Sequence, residues 1–201
     1  MLIAGVGGQG TILASDILAE VGLQCGYDVK KSEVHGMSQR GGAVESHVRW
    51  SDKVYSPQIE TGKVDFLLGF EMLEAARWAK VLAPGAVVLI NRHRVSPPSV
   101  NLGMETYPGE GEIEKIISNR GGLVHWVEGT GIAQELGNQT LAGVVLLGRL
   151  SLMLDAPEEA WLSTISRLVP EKFIDLNVLA FKAGRKIFEA KGESICETSV
   201  S

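Results

Sequence analysis

Between Val64 and Phe70 the sequence reads VDFLLGF, a short apolar run of the kind that a parallel sheet buries on both faces. Runs of similar character stand at LIAGV after Met1, at AVVLIN from Ala86 to Asn91 and at LVHWVEG from Leu123 to Gly129. Segments of helical character separate them. Thr11–Val21 places Ile12, Ile17, Leu18 and Val21 at helical spacing with Thr11 as cap, EMLEAARWAKVL is ended by Pro84 and Gly85, and Glu112–Asn119 follows. Alternating strands and helices need crossover connections, and crossovers make neighbouring strands parallel. The chain is therefore expected to be α/β, one domain over residues 1–201, with a mostly parallel sheet flanked by helices and a helical C-terminal part.

That C-terminal part begins at Thr130. TGIAQELG reads as a short helix ending at Gly137, and Asn138–Leu154 as one helix so apolar that it must be buried on most sides. Ala142, Gly143 and Gly148 would let a helix or the sheet come close. Asp155 is placed to cap the next helix, with Pro157, Glu158 and Glu159 at its start. Phe173–Ala190 reads as a final amphipathic helix, in which Asn177 is expected to make a core hydrogen bond. Arg92–Gly111, with Pro97, Pro98 and Pro108, lacks periodicity and reads as a long loop with a short strand near Met104–Tyr107.

Composition narrows the function. A formal charge of −5 gives no electrostatic reason to bind nucleic acid, and no apolar run reaches the ~20 residues of a membrane span. A cytoplasmic location is expected. The two cysteines, Cys25 and Cys196, lie far apart, whereas an iron–sulfur cluster or structural zinc wants about four ligands. The four histidines are scattered, so no metal site is expected.

Two glycine-rich segments remain as candidate sites. GVGGQG satisfies G-x-G-x-x-G through Gly5, Gly7 and Gly10; with Gly8 and Gln9 it would form a turn that lets phosphate approach amides at a helix start. A dinucleotide site also wants a second apolar strand ending in an acid, but Lys30 and Lys31 interrupt that strand before Glu33. The second segment, Ser32–Trp50, is read as a charged loop carrying His35, Gly36, Gln39, Arg40, Gly41 and Gly42 that leads into a half-buried strand, Ala43–Trp50. Its guanidinium and amide groups suit a carboxylate, a phosphate or a neighbouring subunit. His47 would face solvent or fill a polar niche. Glu71, just past VDFLLGF, is read as a favourable charge at a helix start rather than a ligand.

GVGGQG, EVHGMSQRGGAVESHVR (Glu33–Arg49), DFLLGFE (Asp65–Glu71), GN with VVLLGRL, and LNVLAFKAG (Leu176–Gly184) occur in this order. Together they resemble the gamma-type subunit of the 2-oxoacid:ferredoxin oxidoreductases, the HGMSQRGG form being most similar to the beta subunit of the indolepyruvate enzymes. The resemblance implies a Rossmann-like fold and a role in oxidative decarboxylation of indolepyruvate or another arylpyruvate to an acyl-CoA. In that family thiamine diphosphate and iron–sulfur clusters pass electrons to ferredoxin. The present chain lacks the thiamine motif and the clustered cysteines, so the resemblance implies an accessory subunit holding no cofactor and no proton-transfer residue, beside a large partner that carries both. CoA would be co-substrate, Arg40 the principal polar contact, His35 and Gln39 its supports, and the isolated chain a possible homodimer. At Ala142–Gly143 the sequence departs from the family, where an Asn commonly stands.

Overall fold

The apolar runs become neighbouring strands because each can be buried on both faces. In the computed structural model, which describes residues 1–35 and 42–187, the chain forms a six-stranded sheet. The strands are β1 (Leu2–Val6), β2 (Asp28–His35), β3 (Ala43–Ser51), β4 (Val64–Gly69), β5 (Leu82–Asn91) and β6 (Leu123–Val127), in the order β2-β3-β1-β4-β5-β6. Alternate residues feed opposite cores. Leu2, Ala4, Leu67, Val88 and Ile90 pack beneath α2 (Met72–Arg77) and, after α3 (Pro98–Asn101), α4 (Glu110–Ser118). Ile3, Leu68 and Leu89 face α1 (Thr11–Gln24), α5 (Gly129–Glu135), α6 (Ala142–Leu150), α7 (Glu158–Leu168) and α8 (Ile174–Lys186).

The sheet is mixed. β1, β4, β5 and β6 pair in parallel, whereas β3 is antiparallel to both β1 and β2. Ser32–His35, read from sequence as loop, is the end of strand β2. Its charges are accommodated because this strand lies at the sheet edge and Lys31 bridges Asp16 of α1 and Glu33. Pro84 and Gly85 do not break a helix. They sit inside β5, where register slips from Val64↔Leu82 to Phe66↔Val87 and Gly85 adopts φ +78°. The helix before them is correspondingly short, ending at Arg77 and continuing as a 3₁₀ turn to Val81.

Other boundaries shift for local reasons. Gly10, left-handed at φ 80°, precedes α1, so Thr11 is a buried first helical residue rather than its cap, and Ile12 points away from the core. The segment near Met104–Tyr107 is not a strand; a one-turn helix, α3, lies upstream of it. α6 starts only at Ala142 after a 3₁₀ turn that Asn138 caps, and Pro157 rather than Asp155 stands at the N-cap of α7. α8 is described to Lys186, and its Asn177 side chain donates to the Phe173 carbonyl at 2.8 Å. All nine residues of α6 are buried. Gly148 and Gly184 let α6 and α8 touch backbone to backbone, and the ring of Phe70 lies against Gly143.

His47 fills a polar niche in β3. The Ile59 amide donates to its Nδ1 at 3.2 Å, which leaves the ring neutral with its proton on Nε2, 3.7 Å from Glu45. Burial, and after it the positive N-terminal ammonium, holds the His47 pKa below its ordinary 6.5. Between the folded value and 6.5 the unfolded chain binds more protons, so this contribution is complete above 6.5 and is lost as pH falls through that window. Urea midpoints measured at about pH 7.5 and about pH 5.5 are expected to fall with acid, and His47→Gln is expected to reduce the difference.

Candidate functional site

Parallel strands end their carboxyl termini on one edge of the sheet, and ligands of open α/β sheets bind there. On that edge the turn after β1, Phe70 after β4, Asn91 and His93 at the end of β5, and Thr130 in α5 surround a cleft of about 370 Å³. Gln139, Thr140 and Ala142 close its far side. Among the described residues no carboxylate, lysine or arginine lines it, and His93 is the one titratable side chain.

The floor is a satisfied polar network. Gln9 accepts from the Val6 amide at 2.7 Å and donates to the Phe70 carbonyl at 3.3 Å, strapping the glycine turn to the end of β4. A Cβ at Gly5 would lie 2.8 Å from Oε1 of Gln9, so this strap requires glycine there. Asn91 is the hub. Its amide donates to Phe70 O at 3.1 Å and to Thr130 Oγ1 at 2.9 Å, and its oxygen accepts from Thr130 N at 3.0 Å. Three strand ends and α5 are thereby held in one register.

One wall hangs on a buried carboxylate. Glu71 is 1% exposed and accepts from Glu74 N at 2.9 Å, from Val95 N at 3.0 Å and from the Tyr107 hydroxyl. The first contact caps α2, as expected from its position; the other two tie the Arg92–Tyr107 segment to the cleft. Tyr107 also accepts from Leu73 N at 3.1 Å, and its phenol is raised well above its ordinary pKa by burial and by the Glu71 carboxylate. The Met72 amide donates to His93 O at 3.1 Å, completing the attachment.

The two glycine segments meet here. Gly7 N donates to Gly42 O at 2.9 Å, joining the turn to the start of β3. That bond occupies the Gly7 amide, which was expected to face a phosphate; Gly8 and Gly10 carry the turn at φ 98° and 80°. Of the loop residues anticipated as a site, Gly36, Gln39, Arg40 and Gly41 lie outside the described residues, as does the His35 side chain. Among the described residues no group of His, Cys, Asp and Glu has the arrangement of a metal site, and no helix is long and apolar enough to cross a membrane.

The profile of the pyruvate ferredoxin/flavodoxin oxidoreductase family matches residues 1–187. This chain belongs to that family. Among its relatives within the family, the indolepyruvate oxidoreductase subunit IorB of Thermococcus kodakarensis is 40% identical over 189 residues, covering 92% of this chain and 94% of the relative. IorB of Archaeoglobus fulgidus is 36% identical over 190 residues, with 92% of each chain covered. The gamma subunit of keto/oxoacid ferredoxin oxidoreductase from Geobacter sulfurreducens superposes with TM-score 0.69 at 27% identity, covering 94% of this chain and 97% of that one. A 2-oxoglutarate:ferredoxin oxidoreductase chain of Magnetococcus marinus shares the fold at TM-score 0.74 and 21% identity, 96% of this chain matching 31% of that longer one.

Family membership gives the glycine turn a context that its pattern alone lacked. In a dinucleotide-binding unit the strand beside β1 is parallel and ends in the ribose-binding acid. Here antiparallel β3 occupies that place, and Glu33 on the outer β2 is engaged by Lys31 and Ser15. Asn91, His93, Tyr107 and Thr130 went unnoticed in the sequence. Each lies in or after a run without a motif, and only the sheet order brings them to Phe70.

Proposed function

We propose that this chain is the accessory subunit of an indolepyruvate-type 2-oxoacid:ferredoxin oxidoreductase. The enzyme would convert indolepyruvate or another arylpyruvate and CoA to the acyl-CoA and carbon dioxide, the electron pair released passing to ferredoxin. The observation that carries this reading is the near end-to-end match to the indolepyruvate oxidoreductase subunits, 92% of this chain against 94% of the Thermococcus relative.

The chain's own residues do not fit the redox groups. An iron–sulfur cluster takes about four thiolates, whereas this sequence has Cys25 and a distant Cys196. Among the described residues the cleft at Gly7–Gln9 offers amides, hydroxyls and one imidazole, with no acidic group for a divalent ion and thus none of the usual ligands for a metal-bound diphosphate. Thiamine diphosphate and iron–sulfur clusters are therefore assigned to a large partner in the cytoplasm, and no step is assigned to them here. In the Magnetococcus chain the same fold fills about a third of a longer polypeptide, which supports a partner-dependent unit.

The partner-facing surface proposed is the edge carrying the cleft and the His35–Gly42 loop, with Arg40 pairing an anionic group of the partner, substrate or CoA. Gly42 adjoins the glycine turn, which puts the base of that loop at the cleft. Affinity purification of the tagged chain from its native cytoplasm, with mass spectrometry and an iron assay, tests the assignment. Recovery of a large, iron-rich, thiamine-binding polypeptide is expected. Recovery of the chain alone under conditions that preserve complexes would contradict it.

A further inference from the structure

Of the polar side chains lining the cleft, Gln9 is committed to Val6 and Phe70, Asn91 to Phe70 and Thr130, and Thr140 to Asn138, which leaves His93 and the exposed Gln139. Among the described residues the His93 imidazole makes no hydrogen bond or ion pair, yet its backbone is fixed at both ends. His93 N donates to Asn91 O at 2.7 Å, its carbonyl accepts from Met72 N at 3.1 Å, and Val95, two residues on, is held by Glu71 at 3.0 Å. A rigid backbone carrying an uncommitted side chain into a cleft is the arrangement of a binding residue.

We propose that His93 is a ligand-binding residue of the complex, donating an imidazole N–H to an anionic oxygen, and that Glu71 and Tyr107 are the positioning residues that aim it. The assignment rests on the reading of this chain as a subunit of the 2-oxoacid oxidoreductase. Among the described residues the cleft carries donors and no carboxylate, so it favours a carboxylate or phosphoryl oxygen over a cation. Within the proposed reaction that oxygen belongs either to the carboxylate of the 2-oxoacid or to a phosphate of CoA, and steady-state kinetics separate the two sources.

The test uses the reconstituted complex with wild-type chain, His93→Ala, His93→Gln and Tyr107→Phe. In His93→Ala the KM for one of the two substrates is expected to rise about tenfold while kcat changes by less than about twofold. His93→Gln, which keeps an N–H donor, should recover part of the loss, and Tyr107→Phe should raise the same KM by a smaller factor. The substrate whose KM moves identifies the source of the oxygen. A second readout needs no variant. Carbethoxylation of His93 in the wild-type complex, followed by mass spectrometry with buried His47 as the internal reference, should slow when that substrate is saturating. Unchanged KM values for both substrates in an active His93→Ala complex, or labelling of His93 indifferent to both substrates, would overturn the assignment. A wild-type chain that forms no active complex would instead remove the reading beneath it, and the assignment with it.

Discussion

Replacing Gly184 with alanine is expected to destabilise the protein by about 3 kcal/mol, the upper end of what forced overpacking of a core costs. A Cβ at Gly184 would stand 2.0 Å from the Val145 carbonyl oxygen, and one at Gly148 would stand 2.1 Å from that of Phe181. Both obstacles are helical backbone, so no side chain can rotate away and α6 and α8 must separate. Separation would loosen the contacts of buried Val145, Ala180 and Phe181, all in the larger core. Gly148→Ala should behave similarly. Gly111 supplies the control, because it lies within α4 and a Cβ there meets nothing within 4 Å. Gly111→Ala should leave stability unchanged or raise it by up to about 1 kcal/mol through helix propensity. Urea midpoints at constant m-value measure all three.

Loss of the Glu71 carboxylate is the second large effect expected. Glu71→Ala removes the acceptor of the Glu74 and Val95 amides and of the Tyr107 hydroxyl. Each buried donor left without a partner costs about 1–3 kcal/mol, so the three together cost about 3 kcal/mol even at the low end of that range. Tyr107→Phe deletes one donor of the set and should cost about 1 kcal/mol. If the two substitutions act through the same contact, the double variant should lose less than the sum of the singles. Strict additivity would show that Tyr107 and Glu71 act independently, against the geometry.

The parts legible in the sequence were those fixed by local periodicity. Leu67 and Leu68, like Leu89 and Ile90, are apolar on both faces because the strands carrying them lie inside a sheet covered on both sides. Gly143 and Gly148 of α6 announced close approach, and Glu71 announced a helix start. What was not legible depends on neighbours remote in the chain. β2 reads as interrupted because Lys31 becomes acceptable only when α1 supplies Asp16. Pro84 and Gly85 signal an interruption equally well in a helix and in a bulged strand, and only pairing with β4 selects the bulge.

The site divides in the same way. Gly5, Gly7, Gly8, Gln9 and Gly10 were visible as a turn, but a turn that accepts phosphate and a turn strapped internally have the same letters. Gln9 reveals its role only through the Phe70 carbonyl, 61 residues away in sequence. Asn91 and Thr130 are ordinary residues in sequence, 39 positions apart, until β5 and α5 bring them together. The family blocks carried the functional reading across this gap.

The most direct measurement of the central claim is arylpyruvate oxidation by the purified chain, by its purified large partner and by the two combined, with CoA and ferredoxin supplied. Neither the chain nor the partner should sustain the wild-type rate alone, and mixing them should restore CoA-dependent reduction of ferredoxin. CoA-dependent oxidation of indolepyruvate by this chain unaided would contradict the account.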